Sequence, residues 1–266
     1  MTDRQNRLLA AGEPPPATVY NEGGRSPFLL VADHAGNAIP TALHSLGLPE
    51  SERGRHIAWD IGIADVSRML ADNLDATLIQ QNYSRLVIDC NRPPGTVESI
   101  MAVSESTPVP GNANLSEADI ALREREIFWP YHAAIDAELK RRRLAGRPVA
   151  LVAMHSFTPA YKGVQRTWQA GVLYNRDLRF ARVLLPLLQS ALGEAVGNNE
   201  PYSIDDATDY TIPVHGERGG LHHIGIELRQ DLIADERGQR AWATLLAEWL
   251  PQAYRNLLAI GASGPG

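Results

Sequence analysis

Short apolar runs alternate with amphipathic segments along most of the 266-residue chain. A short apolar run that ends at turn-forming residues is typical of a buried strand. Six stretches fit this description and each predicts a strand: residues 28–32, "ATLIQQ" at 76–81, "SRLVIDCN" at 84–91, "PVALVAMHSF" at 148–157, "AGVLYN" at 170–175 and "HHIGIELRQDL" at 222–232.

Apolar positions at helical spacing lie between and after these runs. They predict four helices, at 63–74, 114–146, 177–192 and 237–261. In the second helix, Ser116 is placed to cap the N-terminus, with Asp119 three residues later as a variant of the capping box. Pro130 should kink or divide this helix, because proline lacks the backbone N–H, and Gly146 should end it. Pro186 should interrupt the third helix in the same way.

The alternation of strands and helices predicts an α/β fold with a mostly parallel, mixed central sheet and helices on both faces. No repeat or low-complexity linker divides residues 1–266, so we expect a single domain. Residues 1–20 and 261–266 are expected to be peripheral or poorly ordered. The segment 96–114 is expected to form an active-site loop or lid.

Composition and charge limit the partners and the cellular compartment that we expect for the protein. The net charge of −6 gives no reason to expect a nucleic-acid partner. The single cysteine excludes an intrachain disulfide and is consistent with a reducing compartment. No apolar run reaches the length of a signal peptide or a membrane span, so we expect a soluble, cytoplasmic protein with no membrane partner. The sequence makes no prediction of oligomeric state.

Polar and ionisable residues stand at the ends of four predicted strands. They are Asp33 and His34 after the first, Asp89, Asn91 and Arg92 around the end of the third, His155 and Ser156 in the fourth, and Glu227 and Arg229 in the last. In an open parallel sheet, ligands bind beyond the carboxyl ends of the strands. Each residue alone has an ordinary structural explanation, but together at one predicted edge they indicate a functional site.

These residue types suit metal-dependent hydrolysis. Two imidazoles and one carboxylate form a three-ligand catalytic zinc site with one position left open. The same ligands suit other divalent metals as well. A further carboxylate that does not bind the metal can move protons. An adjacent Asn and Arg suit a substrate carboxylate, because a guanidinium pairs with a carboxylate through two hydrogen bonds.

Five motifs, taken in order, resemble the N-formylglutamate amidohydrolase (N-formylglutamate deformylase) family: "VADHAGNAIP", "HIAWDIG", "YSRLVIDCNRPPG", "AMHSF" and "HHIGIELRQDL". They extend from about Phe28 to Leu232, which is most of the chain. Three of them also resemble elements of the zinc carboxypeptidases, which implies a zinc-exopeptidase-like fold. The resemblance implies a zinc-dependent hydrolase of a linear amide bond, and the family name suggests a place in histidine degradation.

The similarity to the carboxypeptidases also implies individual roles. Asn91 and Arg92 would hold a substrate carboxylate, with Asp89 supporting them. His155 would bind zinc, and Glu227 would be the catalytic acid–base residue.

The remaining zinc ligands depart from the carboxypeptidase pattern. His34 would be the first ligand, but the residue three positions later is Asn37, where the carboxypeptidases have a glutamate. Asp60, in "AWDIG", is the candidate to replace that glutamate, because the deformylase family carries an Asp in this motif. His56 and Asn37 are the alternatives, and Asn37 could instead contact the substrate.

Two further residues are assigned to substrate binding. Side chains alternate along a strand, so His223 should share a face with Glu227. Arg85, six residues before Asn91, is a candidate to stabilise an oxyanion.

The resulting hypothesis is a metal-dependent amidohydrolase that cleaves N-formyl-L-glutamate to formate and L-glutamate. His34, Asp60 and His155 would hold one Zn²⁺, and the partner would be a small-molecule N-acyl amino acid. Two alternatives remain open. The first is a hydrolase of another N-acyl amino acid or of a small carboxylate-bearing peptide. The second is a metal-free protein that binds carboxylates without catalysis.

Overall fold

The computed structural model of the protein describes residues 7–262. Within them, eleven strands are present: β1 (Ala17–Tyr20), β2 (Phe28–Ala32), β3 (Thr77–Gln81), β4 (Val103–Ser104), β5 (Thr107–Pro108), β6 (Ala150–Phe157), β7 (Ala160–Tyr161), β8 (Val164–Gln165), β9 (Ala170–Leu173), β10 (Val196–Asn198) and β11 (His222–Arg229). Seven of these strands form one sheet in the order β1-β3-β2-β6-β11-β9-β10, and the other four form two small hairpins.

The four central strands of the sheet, β3, β2, β6 and β11, run parallel to one another. β1 pairs with β3 in the antiparallel sense, and β9 does so with β11. The prediction of a mostly parallel, mixed sheet is therefore confirmed. The parallel centre matters for function, because it brings the carboxyl ends of β2, β6 and β11 side by side.

Six α-helices surround the sheet: α1 (Glu50–Arg53), α2 (Ile63–Leu74), α3 (Glu117–Arg123), α4 (Trp129–Leu144), α5 (Arg179–Leu192) and α6 (Glu236–Ala262). Both faces are covered, since alternate residues of β2 enter different cores. Leu30 packs in one core with residues of α2, α5 and α6, whereas Leu29 and Val31 pack in the other with residues of α4. Among the described residues, no helix combines the length and the apolar character needed to cross a membrane.

The prolines act differently in the two helices where a break is expected. Ser116 and Asp119 form the predicted capping box at the start of α3. A π-helical turn at Glu124–Phe128 then separates α3 from α4, and Pro130 lies in the first turn of α4. The missing N–H of Pro130 is accommodated by this division, as predicted. Pro186, by contrast, lies inside α5, which continues unbroken from Arg179 to Leu192, so the expected interruption is wrong.

The segment 84–91 is a loop and not the strand that its apolar run predicts. Side chains and turn hydrogen bonds, and not a neighbouring strand, satisfy carbonyl groups of this segment. Arg123 donates to the Val87 carbonyl oxygen over 2.9 Å, and Asn112 donates to that of Leu86 over 2.8 Å. Leu86, Val87 and Ile88 are buried. Their apolar character therefore reflects core packing, which periodicity alone cannot distinguish from a buried strand.

The sequence does not predict the two edge strands of the sheet. β1 lies at one edge of the sheet and β10 at the other. Upstream of β1, Leu8 is buried, and the backbone N–H groups of Leu8 and Leu9 donate to the Glu126 carboxylate over 2.8 and 2.9 Å. Residues 1–6 and 263–266, the outer parts of the two termini predicted to be peripheral, lie outside the described residues.

Candidate active site

Three predicted site residues meet at the carboxyl edge of the central strands. His34 follows the end of β2 by two residues, His155 lies near the end of β6, and Glu227 lies near the end of β11. β6 and β11 pair in parallel with His155 opposite Glu227. The strand-end argument from the sequence therefore places these three side chains correctly at one edge of the sheet.

Asp60 reaches the same place from the loop that precedes α2. Its backbone N–H donates to the His34 carbonyl oxygen over 2.9 Å, and its Oδ2 accepts from the Ser156 N–H over 3.0 Å. Gly62 allows the loop to turn close to Ile233. Its φ is +81°, and a Cβ at this position would lie 2.3 Å from the Ile233 carbonyl oxygen. Both features favour glycine two residues after the carboxylate.

Both imidazoles turn Nδ1 toward the same oxygen of Asp60. The His34 Nδ1 lies 3.6 Å from Asp60 Oδ2, and the His155 Nδ1 lies 3.2 Å from it. One ligand atom from each of the three residues lies within 4.8 Å of the others. Ligands held by one tetrahedral zinc ion are separated by about 3.3 Å. The buried His34 Nδ1 has no hydrogen-bond partner, as expected for an atom that binds an ion.

Two buried carboxylates lie behind the imidazoles. The His34 Nε2 is 2.6 Å from Asp89 Oδ1, and the His155 Nε2 is 3.3 Å from Asp33 Oδ2. Asp33 is itself fixed, because its Oδ1 accepts from the Tyr131 hydroxyl over 2.8 Å. A carboxylate at the Nε2 of an imidazole accepts a hydrogen bond from the N–H there. The Nδ1 then carries no proton and is free to bind a metal. Sequence reasoning missed Asp33 in this role, although it directly precedes His34.

The electrostatics of this network follow from its buried opposite charges. Burial alone would raise the pKa of the Asp60 carboxyl, but His34 and His155 hold that pKa below its ordinary value. For Asp33, the contact with His155 outweighs burial and lowers the pKa to about 2. Burial would lower the pKa of the His155 imidazole, yet Asp33 and Asp60 raise it well above its ordinary value. A metal ion bound here would have to displace protons from the imidazoles.

Glu227 differs from the other acids of the site. Burial raises the pKa of its carboxyl to about 7, despite the opposing influence of His155. Its buried Oε2 has no hydrogen-bond partner among the described residues. It lines a cavity of about 190 Å³ together with His34, Asp60 and His155. A carboxyl that titrates near neutrality beside a candidate metal site is suited to accept and return a proton.

The cationic wall of the cavity contains Arg85 and Arg92. Arg85 donates to Asp89 Oδ2 over 2.7 Å and lies 3.6 Å from Asp60 Oδ1, so it is already neutralised by two carboxylates. Burial would lower the pKa of Arg85, but Asp89 and Asp60 raise it. Arg92 donates to Asp209 Oδ1 over 3.2 Å, and its side chain remains 27% exposed at the cavity.

Asn91 lines the cavity, but its amide is used by the protein itself. Its Nδ2 donates to Asp209 Oδ1 over 3.1 Å, and its Oδ1 accepts from the N–H groups of Tyr210 and Thr211 over 3.2 and 3.1 Å. Asn91 thus holds the segment 209–211 in place, with one N–H of its Nδ2 used by Asp209. Its assignment to a substrate carboxylate, like that of Arg92, stays a prediction.

Three other candidates lie outside the His34–Asp60–His155 cluster. Asn37 does not line the cavity, and its amide donates to the Arg53 carbonyl oxygen over 2.7 Å. His223 lies at the opposite end of β11 from Glu227, where its Nδ1 is hydrogen-bonded to the Leu221 carbonyl oxygen. It shares a face with Glu227, but four residues of strand separate them by about 13 Å. His56 lines the cavity and bonds Glu105 over 3.0 Å, outside the His34–Asp60–His155 cluster.

A buried histidine pair supports the loop that carries Asp89 and Asn91. The His132 Nε2 is 2.8 Å from the Cys90 carbonyl oxygen, and the His132 Nδ1 is 2.9 Å from the His215 Nε2. Because a carbonyl oxygen only accepts, His132 must carry its proton on Nε2, and His215 then donates to Nδ1. Asp136 lies 3.1 Å from the outer nitrogen of His215.

This pair should make the fold sensitive to acid. Burial, reinforced by His215, lowers the pKa of His132 to about 4, so the unfolded chain takes up this proton first as the pH falls. Stability should be lost between about pH 6.5 and pH 4, by up to about 3 kcal/mol. We expect His132→Asn to reduce this loss, measured by urea unfolding across the range. His44→Asn, at an exposed histidine, should behave as the wild type; an unchanged acid loss in His132→Asn would contradict the expectation.

Comparison with known proteins now identifies the family. A family model described as N-formylglutamate amidohydrolase matches residues 26–234. The chain belongs to this family. It is accordingly a hydrolase of amide bonds, and the matched region contains His34, Asp60, His155 and Glu227. No curated protein sequence matches the chain significantly.

Two solved structures resemble this family member over nearly their whole length. A gene product from Agrobacterium tumefaciens is 36% identical, with a TM-score of 0.91, over 94% of this chain and 99% of that one. An N-formylglutamate amidohydrolase from Ralstonia eutropha JMP134 is 19% identical, with a TM-score of 0.64, over 91% of this chain and 99% of that one. The second likeness, at this identity, concerns the fold alone.

Proposed function

We propose that the protein is a metal-dependent deformylase that converts N-formyl-L-glutamate and water to formate and L-glutamate. The observation that carries the proposal is the His34–Asp60–His155 cluster beside the unpartnered carboxyl of Glu227. Family membership supplies the amide bond as the target. The name of the Ralstonia eutropha relative supports N-formylglutamate as the substrate.

His34, Asp60 and His155 would hold one divalent ion, with zinc as the best match to two imidazoles and a carboxylate. When bound, such an ion supplies Lewis acidity, which polarises a carbonyl and makes water more acidic. The protein's own contribution is orientation. Asp89 lies against the Nε2 of His34, and Asp33 lies against the Nε2 of His155. The Ser156 N–H holds the Asp60 carboxylate, so that the three donor atoms already face one point.

Glu227 would move the proton. As a carboxylate it accepts a proton from the attacking water, while a C–O bond forms at the formyl carbon. As a carboxylic acid it then donates that proton to the amide nitrogen, while the C–N bond breaks and the amine leaves. A pKa raised to about 7 by burial suits both halves of this cycle, because neither protonation state is strongly disfavoured near neutral pH.

Arg92 would bind a carboxylate of the substrate. It lines the cavity, 27% of its side chain is exposed against 20% for Arg85, and its nearest carboxylates are Asp209 at 3.2 Å and Asp89 at 4.0 Å, whereas Arg85 lies 2.7 Å from Asp89. The cavity of about 190 Å³ suits a small substrate. These features support an N-acyl amino acid as the substrate. A comparison of substrates with different acyl groups identifies the acyl group.

A substrate series tests the proposal. We expect the zinc-loaded protein to release glutamate from N-formyl-L-glutamate with a kcat/KM at least about ten times that for the N-acetyl and N-succinyl analogues, since a methylene in a tight pocket is worth roughly 10- to 200-fold. Glutamate release, followed by a coupled assay, measures all three substrates alike. Equal or greater activity on the acetyl or succinyl compound would assign the protein to another N-acyl amino acid.

A further inference from the structure

Arg166 lies next to residues that line the cavity, and aromatic rings surround its guanidinium. Its guanidinium carbon is 4.8 Å from the ring centre of Tyr202, 5.1 Å from that of Tyr161 and 5.6 Å from that of Phe157. Phe157 and Tyr202 both line the cavity, and so does Thr158, whose carbonyl oxygen accepts from Arg166 over 3.3 Å. Stacking of this kind fixes the plane of a guanidinium while its N–H groups point outward from the edge.

Unlike Arg85 and Arg92, Arg166 has no acidic partner among the described residues. Arg85 is paired with Asp89, and Arg92 with Asp209. No carboxylate of residues 7–262 lies within 4.0 Å of the Arg166 guanidinium, which donates to the Thr158 carbonyl oxygen and also interacts with the Tyr202 side chain. A stacked guanidinium with free donors is ready to form a bidentate pair with a carboxylate, and little side-chain entropy remains to be lost on binding.

Acidic side chains surround the two arginines of the cavity, so a second carboxylate of a substrate would need a cation that has no acidic partner. Asp60, Asp89 and Asp209 lie around the two inner arginines, and Glu227 faces the same space. A substrate with two carboxylates must place the second one away from these acids. The rim beside Tyr202 is the position where an unneutralised guanidinium is available.

We propose that Arg166 is the specificity residue that binds the side-chain carboxylate of an acidic N-acyl amino acid, with Arg92 binding the α-carboxylate. This inference rests on the proposed function and adds to it a division of labour between two arginines. Tyr202, Tyr161 and Phe157 act as positioning residues, since they hold the guanidinium in the orientation that a carboxylate requires.

The test compares two isosteric substrates, N-formyl-L-glutamate and N-formyl-L-glutamine, which share the α-carboxylate and differ in side-chain charge. In Arg166→Gln, we expect KM for the glutamate substrate to rise roughly 10- to 100-fold, because a charge-assisted hydrogen bond is lost. The kcat for this substrate and both constants for the glutamine substrate should stay near the wild-type values. Arg92→Gln should instead raise KM for both substrates.

Lys162→Gln is the matched control. Lys162 is a nearby cation, 5.2 Å from the centre of the Tyr161 ring, and neither Lys162 nor Tyr161 lines the cavity, whereas Arg166 contacts the lining residues Phe157 and Tyr202. Lys162→Gln should leave both substrates unaffected. Arg166→Lys keeps the charge but loses the planar fork, so it should retain part of the preference for glutamate, and it also serves if Arg166→Gln does not fold.

The outcomes separate the two proposals. If the wild type hydrolyses neither formyl substrate, the proposed function fails. If the wild type hydrolyses both equally well, or if Arg166→Gln changes both substrates to the same extent or changes neither, the assignment of Arg166 is overturned and the deformylase proposal stands.

Discussion

Glu227→Gln should bind metal and substrate normally and lose most turnover. We expect kcat to fall by about 10²- to 10⁴-fold, the usual contribution of a positioned general acid–base group. The amide has the same shape as the carboxyl but cannot accept the proton of water. The Oε2 atom of Glu227 makes no hydrogen bond among the described residues, so the substitution breaks none at that atom. Steady-state kinetics, together with the zinc content of the purified variant, measure the effect.

The stability of this variant gives an independent check. A buried carboxyl whose pKa is raised from 4.5 to about 7 is destabilised in its charged form, so the neutral amide should not lower the melting temperature at neutral pH. Glu248→Gln, at an exposed glutamate of α6, provides the comparison for kcat. If Glu227→Gln turns over substrate at a rate close to that of Glu248→Gln, then Glu227 is not the acid–base residue.

Asp60→Asn should lose the metal. The amide keeps the size of the side chain and can still accept from the Ser156 N–H, but a neutral oxygen is a weak ligand beside two imidazoles. We expect zinc affinity to fall by more than about 100-fold, which is the upper range for losing an outer-sphere partner. Competition with a chromogenic chelator measures the affinity, and kcat/KM should fall with it at limiting zinc.

Asp33→Asn and Asp89→Asn provide graded controls for this prediction. Each removes a carboxylate that lies behind an imidazole, 3.3 Å from His155 and 2.6 Å from His34. Their zinc affinities should fall by only about 10- to 100-fold. An affinity of Asp60→Asn that equals or exceeds those of the two outer variants would exclude Asp60 as a ligand and return His56 to consideration.

The sequence predicts the part of the site that depends on parallel strands. His34, His155 and Glu227 each stand near the carboxyl end of a recognisable apolar run, and parallel pairing brings such ends to one edge. A different rule, side-chain alternation, puts His223 on the face of Glu227, but it does not tell how far along the strand a residue lies, and His223 is at the other end of β11.

The loops explain what the sequence could not predict. Asp60 comes from a turn before α2, and only the resemblance to a known family singles it out. The segment 84–91 has the apolar run of a strand, yet Asn112, Arg123 and His132 bind its carbonyl oxygens and keep it out of the sheet. Arg166 belongs to none of the motifs, because its environment combines two rings that are near in sequence, Phe157 and Tyr161, with the ring of the distant Tyr202.

Anomalous scattering at the zinc edge, from crystals of the zinc-loaded protein, tests directly whether His34, Asp60 and His155 hold the metal. We expect one peak at full occupancy, about 2.0–2.2 Å from His34 Nδ1, His155 Nδ1 and an oxygen of Asp60, with Glu227 outside the coordination sphere. A peak bound to other residues, or no peak at the carboxyl edge of β2, β6 and β11 in zinc-saturated crystals, would contradict it.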